Sequence, residues 1–397
     1  MKSRLLVHGA RQLVTLRGPS GPRRGAALRE LAVIPDGALL IEDGIIAAVG
    51  PARRIENLAG ARDAREIDAS ARVVMPGFVD CHTHLVSIPP RPGDAGPAPA
   101  VRSLPYSRLR QFVQGTLATC VRHGTTTVEA RATHGPDLSA AMTTLRLIAS
   151  FRAGPAEIVP TFLVAQTAGP ELDRTACAML AKIARRGLAR FAGVACEEQA
   201  APLEPARRFL EAAIRTGFRL KIDAARLTRD GLARLAVELG AASVDHLEQA
   251  EEEEADLLAR SAAVATLLPA RAFHLGLPKC PPARTLLDRG AAVALASGFH
   301  HDVSPTCSMQ AVVALACARM GMTLAEAVSA ATINGAHAVG AASRLGSLEY
   351  GKQADLIVLN AGDYRELAYA LGSNLVHMAI KRGEIVYTEG EVRWPGD

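Results

Sequence analysis

Aromatic side chains are scarce in this chain, 4% of 397 residues. Its core must therefore be filled mainly by Ala, Val, Leu and Ile. Cysteines are few and scattered: Cys81, Cys120, Cys177, Cys196, Cys280, Cys307 and Cys317, an odd number with no C-x-x-C spacing. That pattern excludes a disulfide framework and a structural zinc ribbon. No apolar run approaches the roughly 18 residues that a membrane-spanning helix needs. The apolar part of Met1–His8 is too short for a signal peptide, so the expectation is a cytoplasmic protein with no membrane partner. The formal charge of +5 is small for this length, and arginines are spread along the chain in short pairs such as Arg23-Arg24 and Arg185-Arg186. Nucleic-acid binding normally needs a concentrated basic face, so no nucleic-acid partner is expected either.

What is present is an ordinary globular balance, 49% hydrophobic and 21% charged. The length suits one large barrel of roughly 250 residues with insertions, plus a smaller companion domain. Gly37–Gly50 reads as two strands around an Asp43-Gly44 turn, a strong hairpin signal. The pattern returns at the far end, where Ala354–Asn360 is a strand and Met378–Tyr387 a hairpin around Arg382-Gly383-Glu384. Short strands at both ends predict one small β domain assembled from residues 1–74 and 346–397.

Between them, over 75–345, short apolar runs alternate with helical stretches. The runs are Val74–Cys81, Thr125–Ala130, Ile158–Ala165, Phe191–Cys196, Arg219–Ala224, Ser243–Leu247, Ala263–Leu268 and Ala291–Ala296. Eight strands with intervening helices are the count of a (β/α)8 barrel. The fold class is thus α/β: a TIM-like barrel with a small β-sandwich-like domain built from both termini. The acidic run Glu251–Asp256 reads as a solvated helix face, and Arg17–Arg29 as an exposed loop of the small domain.

The most informative stretch is Val73–Leu85, an apolar strand ending in His82-Thr83-His84. In a strand, residues i and i+2 face the same side, so both imidazoles point to one place. At the C-terminal end of a barrel strand that place is the mouth, where barrel active sites lie. Imidazole is a good ligand for zinc, iron or nickel.

This segment resembles the first-strand signature of the amidohydrolase superfamily, and within it the chain is most similar to the imidazolonepropionase family. The similarity extends through Gly124–Glu129, Pro160–Leu163, Val244–Glu248, Leu267–Pro269, Val303–Pro305, Ala330–Ala336, Gly351–Leu356 and Glu366–Tyr369. The resemblance implies a hydrolase of non-peptide C–N bonds with one divalent transition metal, zinc first and iron second, acting on a small-molecule substrate as a homodimer. It also implies four ligands: the strand-one His pair, a fifth-strand His and an eighth-strand Asp. The pair is here as His82 and His84. The family's Lys-x-His-Ala-Asp reads Lys221-Ile222-Asp223-Ala224-Ala225, so Asp223 stands at the fifth-strand position. The family's Ala-Thr-Asp-x-Asn-Pro-Gly reads Ala296-Ser297-Gly298-Phe299-His300-His301-Asp302, so Gly298 stands where the Asp is expected.

Two histidines and one carboxylate form a known catalytic metal set with a position left for water. His82, His84 and Asp223 are accordingly the candidate metal ligands. Candidates to take the proton from water in place of the absent Asp are His246 and the trio His300, His301 and Asp302. Glu197 matches a family position that contacts the reacting group through water. Arg91 matches the arginine that grips a substrate carboxylate with two parallel hydrogen bonds, which would make the substrate anionic. His134 and Gln166 replace a Tyr and a His of the family's substrate pocket. The leading expectation is a metal-dependent hydrolase opening a cyclic amide or related C–N bond. The second is a catalytically silent relative that binds a small molecule or partner at the same mouth, and the third a true imidazolonepropionase with rearranged ligands.

Overall fold

The computed structural model describes residues 3–89, 101–133, 137–165, 170–195, 203–224, 231–388 and 390–394. The run expected as one strand over Val74–Cys81 is two strands in two sheets. Val73–Pro76 belongs to the sheet made by the chain ends, and Phe78–Thr83 opens the barrel. Gly77 separates them, and a Cβ there would run into the Thr126 side chain of the next barrel strand. The turn from one sheet to the other therefore needs glycine's small volume.

The terminal sheet has nine strands and is mixed. Its first strand, Arg4–Val14, pairs antiparallel with Val33–Glu42 and parallel with Arg65–Asp68 and Val73–Pro76. The two ends of the chain meet where Leu356–Leu359 pairs antiparallel with Val73–Pro76. Val376–Lys381, Glu384–Thr388 and Glu391–Val392 extend the sheet outward. Arg17–Arg29 is not a free loop along its whole length. Arg23 and Leu28 are fully buried, and the Leu28 carbonyl accepts from Ser329 Oγ at 2.8 Å.

The barrel is an eight-stranded parallel sheet: Phe78–Thr83, Thr125–Ala132, Glu157–Ala165, Phe191–Ala195, Arg219–Asp223, Ser243–Asp245, Val264–Leu267 and Ala292–Leu295, each paired with the next. It closes at the mouth through backbone. Gly298 N–H donates to the His82 carbonyl at 3.1 Å, and His84 N–H donates to the Phe299 carbonyl at 2.8 Å. Gly298 has φ +61°, a left-handed conformation that glycine adopts without strain. Its role is to bring the chain after the eighth strand back against the first. Between strands run helices such as Tyr106–Arg122, Leu138–Ala149, Leu203–Arg215 and Met309–Met320, their apolar sides in the core. The acidic run lies on the helix Glu252–Ala259, where Glu251 and Glu254 form a capping box and Glu252 and Glu253 face solvent. Among the described residues no helix is long and apolar enough to cross a membrane.

Candidate metal centre at the barrel mouth

Parallel pairing puts Asp223, the last residue of the fifth strand, level with Asp245, the last of the sixth. His246 follows at once, and both His246 and Leu247 have left-handed backbone, φ +81° and +60°. Side chains with a Cβ pay for that conformation, and such strain collects at functional sites. It turns the His246 ring across the barrel top, where Nε2 lies 3.6 Å from Asp223 Oδ1. His82 arrives from the first strand, its ring centroid 5.0 Å from that of His246 and its Nδ1 3.8 Å from the same Asp223 oxygen. One ligand atom from each of His82, Asp223 and His246 thus lies within 4.8 Å of the others, and all three residues are buried.

Each imidazole is held from behind. His82 Nδ1 is 3.0 Å from Asp245 Oδ2. Asp245 is kept ionised despite its burial by Lys221, Arg131 and His82, which hold its pKa well below the ordinary carboxylate range. The contact therefore requires a proton on Nδ1 in the metal-free protein, and the same nitrogen also faces Asp223 Oδ1. His246 Nδ1 is likewise 3.1 Å from Glu248 Oε1, which also takes Arg271 Nη1 at 3.1 Å. Carboxylates behind imidazoles fix tautomer and ring direction in metal sites. Burial alone would lower the His246 pKa, but Asp223 and Glu248 outweigh it and raise it. At His84 burial prevails: its pKa is pushed well down, with His82, His300 and Arg131 adding to the effect against the opposing charge of Asp223.

Beneath this layer lies a buried ion network that sequence reasoning missed. Arg131, on the second strand, donates from Nε to Glu129 Oε2 at 3.0 Å, from Nη1 to Asp223 Oδ1 at 2.7 Å and from Nη2 to Asp245 Oδ2. Thr161 Oγ1 donates to Glu129 Oε1 at 2.6 Å, and Lys221 Nζ donates to the Cys81 carbonyl at 2.9 Å. The signal for it was the period of two in Thr127-Val128-Glu129-Ala130-Arg131, which sends three polar side chains to one face of an otherwise apolar strand. Asp80 also went unnoticed: it accepts from Ser297 N–H at 3.0 Å and from Ser297 Oγ at 2.5 Å, and burial lifts its pKa to about 7.

His82, Asp223 and His246 come together. His84 lines the same mouth with its ring 5.7 Å from that of His82 and 5.4 Å from that of His300. His300 and Asp302 share a tight turn, Nδ1 to Oδ2 3.9 Å, and the Asp302 side chain is 40% exposed. His301 stacks its ring edge against Phe299, centroids 5.0 Å apart. Arg91, His134, Gln166 and Glu197 lie outside the described residues.

The donor set fits a divalent transition metal. Two imidazoles with oriented tautomers and a carboxylate are the ligand types such ions take, with room for a further ligand. Asp245 Oδ1 and Glu248 Oε2, both buried beside the group, have no hydrogen-bond partner among the described residues. Unspent acceptors of that kind suit a site completed by a cation or by water.

A parallel barrel with histidine and carboxylate groups gathered at the C-terminal ends of its strands is a TIM-like barrel with a candidate metal centre at its mouth. The model of the amidohydrolase family matches residues 73–386, and the chain belongs to that family. Among its relatives are imidazolonepropionases of Solibacter usitatus (strain Ellin6076), 42% identical over 95% of this chain and 97% of the relative, and of Geobacillus kaustophilus (strain HTA426), 37% identical over 98% and 99%. Of solved structures, a guanine deaminase of E. coli superimposes with a TM-score of 0.75 at 16% identity, covering 98% of this chain and 100% of that one. A triazine hydrolase variant gives 0.74 at 18% identity, with 98% and 96% covered. At such identities these two structures speak for the fold alone.

Proposed function

We propose that this protein is a metal-dependent hydrolase that opens a five-membered cyclic amide or a closely related non-peptide C–N bond. The observation that carries it is the convergence of His82, Asp223 and His246 within ligand range at the mouth of an amidohydrolase-family barrel. The substrate class is supported by the full-length relatives that bear the name imidazolonepropionase. A catalytically silent relative is not favoured.

In this reading His82, Asp223 and His246 hold the metal, and Asp245 and Glu248 keep the two imidazoles aligned. A divalent ion bound there supplies Lewis-acid polarisation of the amide carbonyl and lowers the pKa of water. His84 is the proton carrier. Burial, His82 and His300 keep it neutral, so it can accept the proton of the attacking water. It then returns that proton to the leaving nitrogen as the C–N bond breaks and the ring opens to an amine and a carboxylic acid, which gives up its own proton to solvent. Asp302 remains the alternative candidate to take the proton from water, and Glu197 the candidate to contact the reacting group through water. His134 and Gln166 remain candidates for lining the substrate pocket, and Arg91 for gripping a carboxylate on an anionic substrate.

The test is hydrolysis of a panel of five-membered cyclic amides with and without a carboxylate arm, by wild type and by His84→Ala. Ring opening by wild type, slowed at least about a hundredfold in His84→Ala, is the expected result. Absence of hydrolysis across the panel by zinc-loaded and iron-loaded protein would overturn the assignment. Zinc as the metal, a cytoplasmic location and a homodimer belong to the same proposal, and metal analysis, fractionation and sedimentation respectively test them.

A further inference from the structure

The guanidinium of Arg131 is fully buried, and its three nitrogens bond all three buried carboxylates of the network, Glu129, Asp223 and Asp245. Two of those bonds bear on the metal group directly. Asp223 Oδ1, which takes Arg131 Nη1 at 2.7 Å, is the same oxygen that faces His82 Nδ1 at 3.8 Å and His246 Nε2 at 3.6 Å. Asp245 Oδ2, which takes Nη2, is the oxygen that orients His82.

Three carboxylates stand against two cations, Arg131 and Lys221, whose Nζ lies 3.9 Å from both Glu129 Oε1 and Asp245 Oδ2. Buried carboxylates without a counter-charge are strongly destabilising. Arg131 therefore does in the metal-free protein what a divalent ion would otherwise have to do. The same positive charge repels an ion that shares Asp223, and repulsion between close charges is weakly screened in a buried site.

Resting on the metal-centre reading above, we infer that Arg131 is a positioning residue that holds Asp223 and Asp245 in ligand-ready geometry without metal and limits how tightly the site binds a divalent ion. The planar fork is what lets one side chain span both carboxylates, and the point charge of a lysine cannot reproduce it.

The experiment compares full-length wild type, Arg131→Met and Arg131→Lys. Zinc affinity is read by competition with a chromophoric chelator, and thermal stability is measured with and without zinc. Arg131→Met is expected to bind zinc about tenfold or more tighter than wild type. Its metal-free Tm is expected to fall and to recover on zinc addition. Arg131→Lys, which keeps the charge, is expected to stay within about threefold of wild-type affinity while losing metal-free stability. A purely structural arginine would lower Tm in both variants and leave zinc affinity unmoved or weaker, and that result would overturn the inference. So would equal tightening in both variants, since charge would then not be the cause. Should Arg131→Met be unfolded without metal, its refolding on zinc titration carries the test: recovery supports the inference, and failure to recover at any zinc concentration overturns it. The two proposals separate cleanly. Uptake by Arg131→Met but not by wild type upholds the role of Arg131 and removes the metal-dependent hydrolase. Equal uptake by both, with cyclic-amide hydrolysis, does the reverse.

Discussion

His246 Nε2 lies 3.6 Å from Asp223 Oδ1, although Asp223 ends the fifth barrel strand and His246 follows the sixth. Their approach depends on parallel register, which levels Asp223 with Asp245, and on the left-handed turn at His246. If this pair helps to hold the metal, Asp223→Asn is expected to reduce bound zinc to well under one per chain and to cut hydrolysis by at least about a hundredfold. Metal analysis after gel filtration in chelator-free buffer checks it. Retained zinc and activity would remove Asp223 from the ligand set.

Glu248 faces His246 from behind and, with Asp223, overcomes the effect of burial on that ring. Glu248→Gln is therefore expected to lower the His246 pKa in the metal-free protein, because burial then acts with one opposing charge fewer. NMR titration of the imidazole measures it. A pKa that stays or rises would mean that Glu248 is not the partner that charges and orients this ring.

Gly298 stands where the family pattern has aspartate, with left-handed backbone and its Cβ direction 3.2 Å from Leu268 Cδ1. Restoring the aspartate is expected to cost about 1–2 kcal/mol of stability from backbone strain. Denaturant unfolding of Gly298→Asp reads this. An unchanged midpoint would show that the turn relaxes without strain.

Glu157, at the start of the third barrel strand, meets Arg344 Nη2 at 2.6 Å, Arg382 Nη2 at 3.3 Å and Lys381 Nζ at 3.5 Å. Burial would raise its pKa, but these cations outweigh that and bring it from the ordinary 4.5 to about 2. A depressed carboxylate stabilises the fold above its unfolded pKa and loses that contribution as pH falls toward its folded value. Glu157→Gln is expected to cost about 1–2 kcal/mol at pH 7, allowing for solvent screening. The gap from wild type should close between pH 4.5 and about 2, the range of the Glu157 shift. A gap independent of pH across that range would contradict the ion-pair origin.

Much of the barrel was legible because buried parallel strands read as short apolar runs, and seven of the eight expected runs became single strands with ends moved by one or two residues. The eighth, Val74–Cys81, broke at Gly77 because an apolar run carries no mark of a change of sheet. Ser243–Leu247 ended early for a local reason, the left-handed backbone of His246 and Leu247. The His82–Asp223–His246 group was half legible. Each residue stood out by type, but which atoms converge is set by register between strands far apart in sequence. Arg131 was least legible, since a cation inside a strand gives no hint that its partners are on the fifth and sixth strands until the barrel closes.

The most direct measurement is the metal content of wild-type protein purified in buffers never exposed to chelator, beside His82→Ala. Near one transition-metal ion per chain in wild type, lost in His82→Ala while the circular dichroism spectrum is unchanged, is the expected result. A folded wild-type protein free of metal, which takes up neither zinc nor iron on incubation, would contradict it.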